Sequence, residues 1–244
     1  MSRVNVVMPI AGLGSRFTKI GIDTPKPIID ILGKPMAKWS ADSIPFAKPE
    51  DFIFIVRKEH VDKYNLDKEI KKIFSEKCKV VVIDYVTEGA ACTVLLAKEF
   101  INNDNPLIVT DCDHFFISSD YFKYIYLPPK DLKGIIPVFH TQETKWSFSK
   151  FGDDKVITQV AEKVPISQYG NIGAYYFAHG KDFVWAAENM IKNNERVNNE
   201  FYVAPVYNQL IRRGDKIYAA ICEYKHGLGT PEDVDAFKKE NHRD

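Results

Sequence analysis

The sequence predicts an α/β fold, a mostly parallel central sheet with helices on both faces. Three observations predict it. Short apolar runs at Val4–Val7, Phe52–Val56, Lys79–Tyr85 and Leu107–Val109 have strand length and are bounded by turn residues. Longer stretches between them carry apolar residues at helical spacing, and strand–helix alternation builds a parallel sheet covered on both sides. The 244 residues, 45% of them apolar, fit one large domain that can bury a substantial core.

Taken in order, the first run gives a buried strand that breaks at Pro9, followed by a loop with Gly12 and Gly14. Pro35 to Ile44 can form a helix with proline near its first turn. After the Phe52–Val56 strand, Glu59 to Glu76 reads as one charged helix, with Val61, Tyr64, Leu66, Ile70, Ile73 and Phe74 forming an imperfect stripe. Lys79 to Tyr85 is the third strand and Gly89 to Ile101 a more buried helix. Leu107–Val109 is the fourth strand and runs straight into Asp111-Cys112-Asp113. In such sheets ligands lie beyond the carboxyl ends of the strands, where both the glycine loop and the aspartates would sit. Beyond this point Gly134–Phe139, Lys155–Ala161 and Gly170–Phe177 are strand-like without long helices between them. They imply an antiparallel or mixed extension with a turn at Gly152-Asp153-Asp154. Helices return at Asp182–Lys192 and Glu200–Arg212, then a strand at Lys216–Cys222. A last helix spans Pro231–Glu240, with Thr230 as N-cap. Neither a linker nor a repeat divides residues 1–244, so a single domain is expected.

Charge and composition narrow the function classes. Lys+Arg and Asp+Glu both number 33, so no global charge favours nucleic acid or membrane surfaces. No apolar run approaches the roughly 20 residues of a spanning helix, and the N-terminus lacks a signal-peptide core. A cytoplasmic protein without membrane insertion is expected. The four cysteines (Cys78, Cys92, Cys112, Cys222) lack paired zinc spacing and read as reduced thiols.

Two constellations carry chemistry. Gly12 and Gly14 let the backbone pass close to a ligand, with free N–H groups suited to an anion, while Arg16 and Lys26 supply positive charge. A lone Gly-x-Gly is equally an ordinary surface loop; strand, loop, arginine and the Pro25-Lys26-Pro27 segment together point to a nucleotide-phosphate site. Asp111 and Asp113 leave a strand end two residues apart and can share a hard cation. Mg²⁺ favours a few carboxylates plus substrate phosphate oxygens, although aspartates also populate solvated turns. His114 beside them reads as a packing or capping residue.

Pro9-Ile10-Ala11-Gly12-Leu13-Gly14-Ser15-Arg16-Phe17 with Pro25-Lys26-Pro27 resembles the signature of the sugar-1-phosphate nucleotidyltransferases, the NDP-sugar pyrophosphorylases. The resemblance implies a Rossmann-like nucleotide-diphospho-sugar transferase fold. It implies that Ala11, Gly12, Leu13 and Gly14 wrap the nucleotide, that Arg16 stabilises departing pyrophosphate, and that Lys26 steadies charge at the α-phosphate. Glu88-Gly89-Ala90-Ala91 is similar to the family's Gln-Gly-Thr-Ala segment beside the base, which makes Glu88 and Gly89 nucleotide-binding. Asp113 matches the family's metal aspartate, with Asp111 adjacent. Ala161-Glu162-Lys163-Val164-Pro165 resembles its Glu-Lys-Pro segment, with Glu162 on the sugar and Lys163 on the substrate phosphate. Asn171-Ile172-Gly173-Ala174-Tyr175 resembles its Asn-x-Gly-x-Tyr strand, which adds Asn171 and Gly173 to the acceptor set. Gly229-Thr230-Pro231-Glu232-Asp233 is similar to its closing turn.

The implied activity is transfer of an NMP from an NTP to a sugar-1-phosphate or similar phosphorylated acceptor, with Mg²⁺ and release of pyrophosphate. Residues 1–130 would form the NTP half and 131–244 the acceptor half, in a possible homo-oligomer, and the family setting is polysaccharide assembly. Two departures stand out. Gly227 falls where many relatives carry a second metal aspartate, leaving Asp233 or Glu223 as helpers. Glu88 replaces a glutamine, and a carboxylate accepts from an amino group, favouring cytosine or guanine. The rival readings are a CTP-dependent cytidylyltransferase acting on choline phosphate or another small phosphate or phosphonate, and an Asp-x-Asp metal-dependent glycosyltransferase. Trp146, Tyr175 and Tyr176 read as core or wall residues, and Lys145–Lys150 as a flexible rim.

Overall fold

The computed structural model describes residues 3–12 and 14–241, so Leu13 lies outside the described residues. Strand β1 (Asn5–Pro9) enters a short helix α1 (Ser15–Thr18), and a hairpin follows of β2 (Asp30–Ile31) and β3 (Lys34–Pro35). Helix α2 (Met36–Asp42) leads to β4 (Phe52–Arg57), α3 (Lys58–Tyr64), α4 (Leu66–Ile73) and β5 (Lys79–Ile83). Next come α5 (Ala90–Leu95), α6 (Lys98–Ile101), β6 (Leu107–Thr110), β7 (His114–Ile117) and α7 (Ser119–Tyr126). The second half holds β8 (Leu132–His140), β9 (Ser147–Phe151), β10 (Ile157–Glu162), β11 (Tyr169–Asn171) and β12 (Ala174–Phe177). It ends with α8 (Gly180–Lys192), α9 (Tyr207–Arg213), β13 (Lys216–Ile221), β14 (Tyr224–Gly227) and α10 (Pro231–Asn241).

One sheet crosses the molecule in the order β10-β9-β11-β8-β12-β6-β1-β4-β5, with β13 on the other edge of β8. β5, β4, β1 and β6 are parallel, and β12 joins β6 antiparallel. Side chains alternate across the parallel strands and feed two cores. Val7, Ile53, Ile55 and Val109 pack with α5, α6, α8 and α9, whereas Val6, Met8, Phe54 and Ile108 pack with α2, α4 and α7. A third core beside the glycine loop joins the two ends of the chain, with Phe17, Ile29, Ile31 and Met36 against Leu228, Val234 and Phe237.

Several expected elements are redrawn. The long helix over 59–76 is two helices, because Asn65 takes a left-handed conformation (φ 50°) and turns the chain. Gly89–Ile101 is likewise split between α5 and α6 at Leu96–Ala97. Gly170–Phe177 is two strands interrupted at Gly173 (φ 96°), so β11 and β12 pair successive parts of β8. Ser147–Lys150, expected in a rim, belongs to β9 and pairs with β10 around the expected Gly152–Asp154 turn. Glu200 to Tyr202 is not helical; a 3₁₀ turn at Ala204–Val206 precedes α9. The C-terminal helix starts as expected, with Thr230 Oγ1 accepting from the Asp233 N–H at 3.1 Å. The four cysteines are free thiols. Among the described residues no helix is long and apolar enough to cross a membrane.

Candidate active site

The carboxyl ends of β1 and β6 open onto one cleft of about 310 Å³. Its lining draws Arg16, Asp111 and Asp113 from the first half and Glu162, Lys163, Asn171 and Gly173 from the second. Gly12, Gly14 and Lys26 line a smaller neighbouring cavity of about 130 Å³ with Asp23, Glu59 and His60. Gly14 has φ 62°, and its α-carbon faces the Lys26 stem, a turn that an L side chain would strain.

The Asp111–Asp113 loop is pinned from both sides. The Asp111 N–H donates to the Gly173 carbonyl at 2.9 Å, and the Leu228 N–H donates to the Asp113 carbonyl at 2.6 Å. Beneath it the Ser40 hydroxyl donates to the Asp111 carbonyl and lies 3.2 Å from His114 Nε2. Burial drives the His114 pKa down to about 4, so the ring is a neutral structural partner. Two glycines leave room around the carboxylates: a β-carbon on Gly173 would stand 2.7 Å from Asp111 Oδ2, and one on Gly229 2.8 Å from Asp113 Oδ2.

Lys26 forms an ion pair with Asp113. Burial works against both charges, but each partner outweighs it, so the Lys26 pKa is raised and the Asp113 pKa lowered. Asp111 has no such cation bound to it; loss of bulk solvation, then Asp113 and Glu162, push its pKa upward. Its side chain still meets the solvent within the cleft, which screens part of that cost.

On the opposite wall, Glu162 is 9% exposed, and burial raises its pKa to about 7. Asn171 is fully enclosed; its Oδ1 accepts from the Ser149 hydroxyl at 2.7 Å, while Nδ2 has no partner among the described residues. Lys163 adopts φ 58° and donates to the Tyr202 hydroxyl at 2.6 Å. Tyr202, Ser147 and Trp146 complete this wall. Of these three, Trp146 was expected as a core or wall residue, whereas Ser147 was expected in a rim and Tyr202 in a helix.

Glu88 and Gly89 sit at the start of α5, whose Ala90 touches the cleft. One oxygen of the Glu88 carboxylate, Oε2, pairs with Arg196. The two suggested helpers separate. Glu223 accepts from the Ser119 N–H at 2.9 Å, capping α7, whereas Asp233 lines the cleft with Oδ2 3.7 Å from where a Gly227 β-carbon would stand. Among the described residues no group of three or more His, Cys, Asp or Glu side chains is placed to hold a metal.

The sheet order and the cleft define a Rossmann-like nucleotide-handling α/β protein. The family described as nucleotidyl transferase matches residues 5–239, and the chain belongs to it. It is a nucleotidyltransferase enzyme. It is similar to the crystal structure of a nucleoside-diphosphate-sugar pyrophosphorylase from Vibrio cholerae RC9, with 26% identity, TM-score 0.80, and coverage of 96% of this chain and 99% of that one. A UDP-glucose pyrophosphorylase complexed with UDP-glucose shares the fold at 18% identity and TM-score 0.71, over 99% of this chain and 100% of that chain. So does the inositol-1-phosphate CTP transferase from T. maritima, at 13% identity and TM-score 0.71, over 99% and 98% of the two chains. No curated protein compared with the chain matches it.

Proposed function

We propose that the protein transfers a nucleotidyl group from an NTP to a sugar 1-phosphate. The observation that carries this reading is the single cleft in which Arg16 and two carboxylates face Glu162, Lys163 and Asn171. An acceptor phosphate oxygen attacks the α-phosphorus in line; the new O–P bond forms as the bond to the bridging oxygen breaks, and pyrophosphate leaves with the electron pair. No protein nucleophile is required, so catalysis is positioning and charge neutralisation. Arg16 takes up charge on the departing pyrophosphate, Lys26 steadies the α-phosphate, and Lys163 holds the acceptor phosphate. The backbone of Ala11, Gly12 and Gly14 lies along the triphosphate, and Gly89 with Ala90 borders the base.

The donor set fits Mg²⁺. Asp111 and Asp113 are hard oxygen donors cleared by two glycines and would hold the ion together with substrate phosphate oxygens. When bound, the ion neutralises phosphate charge.

Glu162 and Asn171 both belong to the cleft lining and bring a carboxylate acceptor and an unused amide donor, groups suited to sugar hydroxyls. A choline-type cage is less well supported, since the aromatic faces already carry cations. Lys163 Nζ lies 4.5 Å from the Tyr202 ring centroid, and Lys145 and Lys225 lie 5.4 and 5.8 Å from that of Trp146. The test is pyrophosphate release with each of four NTPs against sugar 1-phosphates and phosphocholine. Turnover with sugar 1-phosphates is expected; turnover with phosphocholine alone would overturn the acceptor assignment.

A further inference from the structure

The chain from Arg196 to Val203 touches both halves of the cleft. On the nucleotide side, the Phe201 N–H donates to the Glu88 carbonyl at 2.8 Å, and the Ala91 N–H donates to the Phe201 carbonyl at 2.9 Å. Gly89 lies so close beneath this contact that a β-carbon would stand 2.5 Å from both Phe201 N and O. Arg196 clamps the junction: its guanidinium pairs with Glu88, stacks 4.1 Å from the Phe201 ring centroid and donates to the Asn199 carbonyl at 3.2 Å. The strap bends through Asn198 and Asn199, both left-handed at φ 49° and 65°. One residue further on, the chain faces the acceptor side. The Tyr202 hydroxyl accepts from Lys163 Nζ, and the ring lies beneath the same ammonium. Val203 and Ala204 continue along the cleft wall.

We propose that Tyr202 is a positioning residue for Lys163, and that the Arg196–Val203 strap makes its placement depend on the nucleotide segment Glu88–Ala91. Lys163 has a long, freely rotating side chain, and fixing its ammonium costs rotamer entropy. Tyr202 meets that cost before the acceptor arrives, with a hydrogen bond and a ring face. Tyr202 itself is fixed by its neighbour Phe201, whose two main-chain hydrogen bonds end at the base segment. A shift of α5's first turn on nucleotide binding is thereby carried to the acceptor lysine through a single rigid stretch of backbone. The proposal deepens the assignment of Lys163 to the acceptor phosphate and rests on it.

The test uses the full chain with ¹³C-methylated lysines, the Lys163 resonance being identified by its loss in Lys163→Arg. Inorganic phosphate is the probe. In the parent protein the Lys163 signal titrates above the ordinary lysine range and shifts as phosphate binds. Tyr202→Phe is expected to return that titration toward ordinary values and to weaken phosphate binding about tenfold, with thermal stability little changed. Gly89→Ala, which displaces the Phe201 backbone from the nucleotide side, is expected to move the Lys163 resonance in the same direction. An unchanged Lys163 signal in Tyr202→Phe would overturn the positioning role. A change in Tyr202→Phe with none in folded Gly89→Ala would overturn the coupling. Phosphate leaving Lys163 unperturbed while Tyr202→Phe still moves it would overturn the acceptor assignment instead.

Discussion

At the residue scale, two buried ionic arrangements set what substitutions do. Lys26 and Asp113 neutralise each other, so removing the ammonium leaves Asp113 without its counter-charge and, in the proposed mechanism, strips the α-phosphate of a partner. Lys26→Ala is expected to lower turnover about 10²–10³-fold while the protein stays folded, checked by steady-state pyrophosphate release beside circular dichroism. A fully active, folded variant would remove Lys26 from the mechanism. Glu162 behaves differently, because burial, reinforced by the Glu200 charge and only partly opposed by Lys163, raises its pKa from 4.5 to about 7. The native state then binds more protons than the unfolded chain between those values, so this side chain lowers stability as pH rises through that window. Glu162→Gln should match the parent below about pH 4.5 and gain on the order of 3 kcal/mol relative to it above pH 7, measured by urea unfolding at several pH values. Of the site residues drawn from the family resemblance, Arg16, Asp111, Asp113, Glu162, Lys163, Asn171 and Gly173 line the cleft and Gly12, Gly14 and Lys26 the neighbouring cavity. Ala11, Glu88 and Gly89 line neither, and Leu13 lies outside the described residues. Tyr202 was far less legible. Its partner Lys163 is 39 positions away, and no local pattern encodes a hydrogen bond between two loops.

At the scale of elements, the central parallel strands were legible and helix ends were not. A run such as Phe52–Val56 announces itself because both faces of a central parallel strand are buried. The break at Asn65 is hidden because the apolar stripe continues through it: Leu66 and Ile70 of α4 resume the same core. β9 was missed because its Ser147, Phe148 and Ser149 are all buried, so neither alternation nor an apolar run marks it. The Phe201 strap was read as helix for a similar reason, since its hydrogen-bond partners lie over 100 residues upstream. Close packing between elements carries its own expectation. A β-carbon on Gly180 would stand 2.0 Å from the Ile101 carbonyl oxygen, where α8 begins against the end of α6. Because the obstacle is backbone, Gly180→Ala must separate the two helices, at a cost of about 1–3 kcal/mol. Chemical denaturation reads this directly, and a variant as stable as the parent would show that the junction yields freely.

At the scale of the whole molecule, residues 1–130 and 131–244 are joined through the main sheet, the β7–β14 pair and three cores among the described residues. β12 from the second half lies against β6 from the first, with four residues of each in register, and β14 pairs with β7 in the same manner. The core beneath α5 draws Val7, Ile53 and Val109 from the first half and Phe183, Tyr207, Leu210 and Ile217 from the second. The glycine loop rests on α10, since Phe17 shares a core with Val234 and Phe237. Cutting the chain near residue 130 would leave the β6 edge unpaired and open this apolar surface to water, so neither piece retains a closed core. The parent is therefore expected to unfold in a single cooperative transition, with calorimetric and van't Hoff enthalpies in agreement. The fragment 1–130 is expected to lack a cooperative transition and to bind no NTP, although it carries Arg16, Lys26, Asp111 and Asp113. Heating scans and nucleotide titration of the fragment test both points. A folded fragment with parent-like NTP affinity would show that the halves are separate folding units and that the acceptor wall does nothing to hold the phosphate loop in place.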